Sequence, residues 1–441
     1  MMISRWRLGW QWVVTAFVVI AGLAWAVLCL TTGASAYLQY RANRATQQEP
    51  QQALADLQSA IRLRPDLASP RQARAELLFD VDGNYAAARG AASAALQRNP
   101  RDWQSWQLLA SINFEENHLQ RAQRDLQNAE RYDQGFAGHY QLANFAILMG
   151  DQALFWKEVN AALAKAPNWW SHYALSEILT FASGPNDPRV PTSPPAGRPF
   201  VGQRMIDAYV SGHFWDDAAT VLKRMRCPTA DQIAACQWSA AGLVNAAFGS
   251  AWAAKKQATQ LHLTRVASSS WDMAVKRGWL PQVRSSSNLC ADGNFQEPFA
   301  GPTVGWAVAG PVTVAASPLA PGGAPGSLLI GFDGQEPQQT TIVQQYVPVE
   351  PGHNYELSFQ SRSAGEAGQG GLALQALAPG WKALASAPAA LSGEWTQNQT
   401  SLAVPNGVNV VLLRFFYKRP LGEVRLQAPV MVGAVRVAPI S

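Results

Sequence analysis

The sequence predicts a multidomain chain that is all-α and then all-β: an N-terminal transmembrane helix, an α-solenoid and a C-terminal β-sandwich. Three observations support this order. The stretch Trp12–Leu30 is apolar almost throughout. Alanine-rich helical segments then end at prolines that recur at a nearly constant spacing as far as Pro167. Near Ser285 the composition changes to Gly, Pro, Thr and Val in short alternating runs.

The apolar stretch predicts a membrane anchor over residues 1–44, with a helix from about residue 10 to 32. A bilayer is crossed by about 20 residues of apolar helix. Arg5 and Arg7 precede the stretch, which favours a cytoplasmic N-terminus and an extracytoplasmic bulk, in the periplasm or at the cell surface. Ala34-Ser35-Ala36 fits a signal-peptide cleavage site, so secretion after cleavage near Ala36 is the alternative.

The proline spacing predicts stacked helical hairpins over residues 45–182. Pro65 and Pro100 are 35 residues apart, and Pro100 and Pro167 are 67 apart, close to two steps of 34. A constant period near 34 is typical of a solenoid built from helix pairs. A plain bundle of α-hairpins is the alternative, although it does not require the period.

The residues within each period resemble the tetratricopeptide repeat. The unit that ends at Pro167 has a Leu-Ala pair at Leu142-Ala143, a glycine at the turn, Gly150, and a small residue at Ala162. The resemblance implies a protein partner held in a concave groove. The groove-lining candidates are Arg74, Asn113, His139 and Asn144.

The helical pattern changes after the repeats. Residues 183–199 are rich in proline and predict an extended loop, and residues 200–284 predict degenerate helical repeats. Cys227 and Cys236 are nine residues apart and form a disulfide if the compartment is oxidising; two unpaired core cysteines are the alternative.

Residues 285–441 predict a β-sandwich. The strand candidates are Thr341–Val349, Asn354–Ser361, Leu372–Leu377, Thr396–Val404 and Val408–Tyr417. Asn288–Gln296, Gly305-Trp306 and Gln344–Arg362 resemble carbohydrate-binding modules with a galactose-binding-like jelly roll. Two positions at which the family carries calcium-binding carboxylates lack them here: one is Gln296, and the last strand reads VGAVRV. Calcium is therefore not expected.

The resemblance implies glycan contact by exposed aromatic faces and planar polar groups. The candidates are Trp381, Tyr417, Trp306, Arg362 and Gln344. Trp381 follows Pro379-Gly380 in a loop context and is the first choice, whereas packing within the sandwich is the competing role for Trp306.

Other classes of function find little support in the sequence. The net charge of +5 arises from 35 basic and 30 acidic residues that are spread along the chain, which argues against nucleic acid as a partner. The six histidines are scattered, and no P-loop or Rossmann glycine pattern occurs. We therefore expect no catalytic residues, no metal and no cofactor.

Together these features predict a membrane-anchored extracytoplasmic scaffold that mediates protein–protein interaction. The jelly-roll resemblance extends this to glycan contact and to a role in assembly or export of an envelope exopolysaccharide, by analogy of fold. The alternatives are a structural interaction module that binds no sugar and, with less support, a hydrolase acting on glycans through paired carboxylates.

Overall fold

The structure is a computed structural model. It describes residues 3–45, 48–81, 83–133, 135–185, 187–281, 285, 287–297, 299, 304–323, 325–363, 371–419 and 426–440, with the backbone alone for residues 3–16. The side chains at the start of Trp12–Leu30 therefore lie outside the described residues. The chain forms two compact units, Met1–Ala166 and Pro167–Ser441.

Thirteen α-helices precede ten β-strands in the described chain. The helices are α1 (Ile3–Ala45), α2 (Pro50–Leu63), α3 (Ser69–Asp80), α4 (Tyr85–Arg98), α5 (Trp103–Glu115), α6 (Leu119–Tyr132), α7 (Phe136–Leu148), α8 (Gln152–Lys165), α9 (Ser171–Phe181), α10 (Pro199–Ser211), α11 (Trp215–Arg224), α12 (Ala230–Ala253) and α13 (Gln257–Lys276). The strands are β1 (Ala307–Val308), β2 (Thr313–Ser317), β3 (Ser327–Gly331), β4 (Gln339–Pro348), β5 (Asn354–Ser363), β6 (Leu372–Ala378), β7 (Lys382–Pro388), β8 (Thr396–Ala403), β9 (Val410–Lys418) and β10 (Val430–Pro439). This all-α plus all-β architecture confirms the predicted fold class.

The first unit consists of four successive helical hairpins, α1–α2, α3–α4, α5–α6 and α7–α8. Fully buried alanines, such as Ala88 and Ala122, let the helices approach closely. The last three hairpins turn through a residue with positive φ: Gly83 (57°), Asn117 (60°) and Gly150 (69°). Glycine adopts this conformation without strain and asparagine tolerates it. In the α5–α6 turn, Asn117 therefore occupies the position that glycine occupies in the other two turns.

Helix α1 has two parts that differ in burial. It is long and apolar enough over Phe17–Ala45, 29 residues, to cross a membrane. The side chains of residues 17–30 are exposed, whereas Ser35 and Ala42 are buried against α2 and α3. The apolar helix therefore continues without interruption into the first hairpin, where the sequence analysis placed a boundary between residues 44 and 45.

Polar contacts fasten α1 to α2. The Arg41 guanidinium donates two hydrogen bonds to the buried carboxylate of Asp56, which also accepts one from Gln52. The guanidinium holds the pKa of the Asp56 carboxyl below its ordinary value. Near the other end of α2, Arg64 donates to the Thr32 hydroxyl, so α2 ends beside the point where the apolar stretch of α1 ends.

The proline-rich segment 183–199 leads from α9 to α10, and polar contacts hold its described residues. Buried Asp187 accepts hydrogen bonds from Ser183 and Arg189, and the Tyr209 hydroxyl donates to the Pro191 carbonyl at 2.8 Å. A disulfide joins Cys227, before α12, to Cys236 in the second turn of α12.

The sandwich consists of two five-stranded antiparallel sheets. The strand orders are β1-β4-β9-β6-β7 and β2-β3-β10-β5-β8. Its core contains a cluster of aromatic rings: Trp306 lies 5.2 Å from Phe295 and 5.5 Å from Phe415, between ring centroids. Phe359 packs edge-on against Phe415 from the other sheet.

Helix α12 packs on the outer face of the first sheet, against β4 and β9. The buried Trp252 indole donates its N–H to the Leu377 carbonyl at 3.2 Å and lies 6.3 Å from the Tyr346 ring. Gly249 faces the same tyrosine so closely that a Cβ there would lie 3.3 Å from the ring. Trp252 and Gly249 thus lie in the contact between the helical part of the second unit and the sandwich.

We expect Trp252→Ala to lower the free energy of unfolding by about 3–5 kcal/mol, because it empties a buried site and removes the hydrogen bond to Leu377. Trp252→Phe should cost less, since it retains most of the packing. Urea unfolding followed by circular dichroism measures both. Trp238→Ala is the control, because Trp238 lies on the same helix and is 51% exposed. An equal loss in the control would show that Trp252 has no special role.

Asp217, in the first turn of α11, predicts a pH dependence of stability. Burial, followed by the charges of Asp216 and Asp187, raises its pKa from 3.8 to about 6. Among the described residues no donor reaches its buried Oδ2 atom. Because the folded state binds this proton more tightly, Asp217 favours folding as the pH falls from about 6 towards 4 and disfavours it above 6.

Asp217→Asn should therefore stabilise the protein at pH 7.5, by roughly 1 kcal/mol once solvent screening is allowed for, and the gain should vanish near pH 4. Urea midpoints at the two pH values measure the difference. Asp231→Asn, an exposed residue in the first turn of α12, is the matched control. A gain for Asp217→Asn that persists unchanged at pH 4 would contradict the assignment.

Candidate functional site

A groove of about 350 Å³ opens on the face of the first unit formed by α3, α5 and α7. Its lining combines aromatic and aliphatic side chains with a few polar ones: Phe79, Ala110, Ser111, Phe114, Glu115, Leu126, Gln141, Asn144, Phe145 and Leu148. The rings of Phe114 and Phe145 meet edge to face at 6.0 Å. Leu148 is 64% exposed at the rim although it is apolar. Such a surface suits a ligand with apolar side chains.

Of the four groove candidates from the sequence, Asn144 lines the groove. Asn113 does not, because it is buried: its amide donates to Asp125 at 2.6 Å, and its Oδ1 accepts from Arg89 at 2.9 Å. Arg74 is half-buried on α3 and is not among the lining residues. The prediction is therefore wrong for Asn113, whose side chain links α4, α5 and α6 instead.

His139 also lies outside the groove, in a polar cluster between α6, α7 and α8. Its Nδ1 is 2.8 Å from Oε2 of Glu158 and 3.9 Å from Oε1 of Glu130. The ligand atoms of these three residues lie within 4.8 Å of one another, a spacing that a metal ion tolerates. However, buried Glu158 already has a partner for each oxygen, since Lys157 lies 2.6 Å from Oε1. Hydrogen bonding between the helices accounts for the cluster.

A second candidate site lies on the outer face of the sheet that α12 partly covers. The covered half presents Leu377 and Leu412, each 1% exposed. The register of β4, β9 and β6 places Gln344, Arg414 and Gln375 side by side in the neighbouring row. These three side chains are half-buried and point away from the core. The uncovered half of this face is therefore a polar strip.

Arg414 organises this strip. Its Nε and one terminal nitrogen donate to Oε1 of Gln375 at 3.0 and 2.9 Å, and the other terminal nitrogen donates to Thr341 at 3.1 Å. The guanidinium lies over the Phe416 ring at 4.1 Å and 5.6 Å from the Trp381 ring. Burial lowers the pKa of Arg414, but an arginine remains charged at neutral pH. The strip thus presents a fixed cation with two amides.

Trp381 stands at the rim of the strip. It is 58% exposed, and its ring meets the Trp252 ring edge to face at 5.1 Å. Its backbone has a φ of 65°. The tryptophan is thus held from one side while much of its surface faces solvent.

Two glycan candidates are wrong on grounds of burial. Trp306 and Tyr417 are 3% and 2% exposed and belong to the sandwich core, so neither offers a ring face to a sugar. Arg362 lies on β5 in the other sheet, where its Nε donates to the Gly393 carbonyl at 2.7 Å. Of the five glycan candidates predicted from the sequence, only Gln344 and Trp381 lie on the outer face of the sheet that contains β4, β9 and β6.

Arg414, Gln375 and Phe416 are the residues that the sequence analysis missed. The signal was the alternation along β9: Val411, Leu413, Phe415 and Tyr417 point into the core, so Leu412, Arg414 and Phe416 must point out. An arginine amid so apolar a strand marks the outer face.

Comparisons with known proteins give partial structural likenesses. No protein-family profile matches the chain, and no curated protein is similar to it. PilF of Pseudomonas aeruginosa matches 56% of this chain and 93% of its own, with 13% identity and a TM-score of 0.30. A CBM4 structure matches 34% of this chain and 98% of its own, with 16% identity and a TM-score of 0.26.

The first tetratricopeptide domain of Spaghetti (RPAP3), bound to an HSP90 peptide, matches 27% of this chain and 94% of its own. Its identity is 15% and its TM-score 0.25. At these values the likenesses assign neither a family nor a function to the chain.

Proposed function

We propose that this chain is a membrane-anchored scaffold whose first unit holds a protein partner in the groove between α3, α5 and α7. The groove carries the proposal, because it combines an aromatic floor with polar groups at its rim in one concave surface. An extended or helical peptide with two or three apolar side chains fits this pattern. Ser111, Gln141 and Asn144 would pair with the peptide backbone.

The surroundings of α1 support an anchor over a cleaved signal peptide. Ser35 lies within the cleavage motif, yet its side chain is buried and donates to the Ala60 carbonyl at 3.3 Å. Cleavage after Ala36 would remove this contact and shorten the first helix of the first hairpin. Retention of α1 keeps that hairpin whole.

One observation supports an extracytoplasmic location for the bulk of the chain. The disulfide between Cys227 and Cys236 fits an oxidising compartment.

A photo-crosslinking residue in place of Leu148 should capture a discrete partner in cells, because Leu148 is exposed at the groove rim. Asn144→Arg, which fills the groove, should reduce the adduct by about tenfold, equivalent to about 1.4 kcal/mol. The same crosslinker in place of Val81, an exposed apolar residue that does not line the groove, is the control. The same adduct at both positions, unchanged by Asn144→Arg, would refute the groove as the binding site.

Glycan binding is the second candidate function, and the polar strip around Arg414 favours it. Sugars are bound by planar donors and acceptors that match hydroxyl pairs, together with aromatic rings that cover the apolar face of a pyranose. Gln344, Arg414 and Gln375 supply the planar groups, and Trp381 supplies the ring. If the strip binds a glycan, we propose a role in polysaccharide assembly or export, by analogy of fold alone.

We expect Trp381→Ala and Arg414→Ala each to weaken oligosaccharide binding by about tenfold, as the loss of one stacked ring or one charged donor implies. A glycan array followed by calorimetry measures this. Trp238→Ala and Arg362→Ala are matched controls, since both residues lie away from the strip. If the unmodified protein binds no glycan at millimolar concentration, the sandwich is a structural module docked on α12.

We propose that the sandwich has a non-enzymatic role. Hydrolysis of a glycosidic bond needs two carboxylates that face each other across the substrate. The side chains described above on the open part of the sheet are amides, an arginine, a threonine and aromatic rings.

A further inference from the structure

The two edges of the first unit carry opposite charge. Helices α2, α4, α6 and α8 run in the same direction, because each forms a hairpin with the helix before it. Their last turns therefore lie at one edge, and each contains an exposed basic residue: Arg62, Arg98, Arg131 and Lys165. The opposite edge holds exposed acidic residues at the hairpin turns, Asp80, Glu115, Glu116 and Asp151. It also holds the exposed Arg44 and Arg121, and Glu116 is paired with Arg89.

Helix polarity alone does not produce this asymmetry. A cation near the C-terminus of a helix is favourable because it faces the negative end of the helix dipole. By that rule α3 and α5 would also end in basic residues. Instead α3 ends at Asp80 and α5 at Glu115. Helix α1, with Arg44 in its last turn, obeys the rule, but in α3 and α5 the charge at the helix end follows the edge of the unit instead.

Two acidic residues at the basic edge, Asp66 and Asp133, form contacts within their own turns. Asp66 pairs with Arg64 at 2.5 Å. Asp133 accepts hydrogen bonds from the backbone of Gly135 and Gly138 at 2.9 and 3.0 Å. Leu63 and Tyr132, next to two of the basic residues, are 40% and 38% exposed. Among the described residues, no hydrogen bond or ion pair holds the guanidinium groups of Arg62, Arg98 and Arg131, and apolar side chains lie beside two of them.

The basic edge lies at the level where α1 leaves its apolar stretch. Arg64 follows directly after α2 and bonds Thr32, two residues beyond Leu30. Arg98 is close enough to Asp66 and Arg71 to influence the pKa values of both, so the end of α4 adjoins the α2–α3 turn. With α1 in a bilayer, the edge that carries these turns faces the headgroups.

We propose that this edge binds the anionic phospholipid surface of the membrane that α1 spans. The inference rests on the proposed membrane anchor. Arginine pairs with phosphate oxygens in a bidentate way, and exposed Leu and Tyr suit the headgroup region. The acidic edge, repelled by the same surface, would face away from it.

Hydrogen exchange of the full chain in lipid nanodiscs tests the proposal. Nanodiscs of POPC alone are compared with nanodiscs of POPC and POPG. Amides in the turns 63–69 and 99–103 should exchange more slowly with POPG, and 0.5 M NaCl should reverse this. Amides at 115–119, on the acidic edge, should not respond to the lipid.

The triple variant Arg62→Gln, Arg98→Gln, Arg131→Gln should lose most of the slowing, since each arginine near an anionic leaflet strengthens attachment roughly fivefold. The control is Arg121→Gln, Arg124→Gln, which removes two exposed arginines, one fewer than the test variant, from the first half of α6 towards the other edge. Circular dichroism verifies that both variants fold. Equal exchange in the two lipids, or an equal loss in the control, overturns the proposal.

Flotation of the full chain with POPC vesicles after an alkaline wash reports the anchor separately. If the chain does not float, α1 is not a membrane helix, and the anchor and the lipid-binding edge both fail. If it floats but the turns do not respond to POPG, only the lipid-binding edge fails.

Discussion

Close approach of elements through small side chains is the constraint on which both units depend. In the first unit, Ala42, Ala53 and Ala60 are fully buried where α1 meets α2. In the second unit, Gly249 lets the Tyr346 ring reach the backbone of α12. A larger residue at either place would push apart α1 and α2, or α12 and the sheet. Large side chains, Leu57 in the first contact and Trp252 in the second, fill the remaining space. The proline spacing marks the repeats, but these small residues set their separation.

The order of helical and β-sheet parts could be predicted from the sequence because the repeat pattern of a helix or strand is visible within a short stretch of residues. Leu142-Ala143, Gly150 and Pro167 mark one hairpin without reference to the rest of the chain. Five strands followed from alternation, as β5 and β9 illustrate, whereas β1, β2, β3 and β7 were not among the strand candidates. The sequence could not show that α1 belongs to the first hairpin, because Ser35 and Ala42 look like a continuation of the apolar stretch. Only their packing against α2 distinguishes them from the exposed positions 17–30 of the same helix.

The candidate sites were harder to predict because they depend on contacts between distant segments. Trp306 and Tyr417 have the right chemistry for a sugar, but their rings fill the sandwich core. Tyr417 could have been excluded from the alternation along β9. The row of Gln344, Arg414 and Gln375 could not have been found this way, since it joins three strands whose pairing the sequence does not give. Likewise, nothing local indicates that α12 covers half of that face.

The uninterrupted course of α1 has a mechanical consequence. Because one helix runs from the apolar stretch to Ala45, it provides no loop that could act as a hinge before the first hairpin. With α1 in a bilayer, the tilt of that helix becomes the tilt of the whole first unit. A transmembrane helix tilts to match its apolar length to the thickness of the bilayer. Membrane thickness would then set the angle at which the groove meets its partner, without any change in the conformation of the protein.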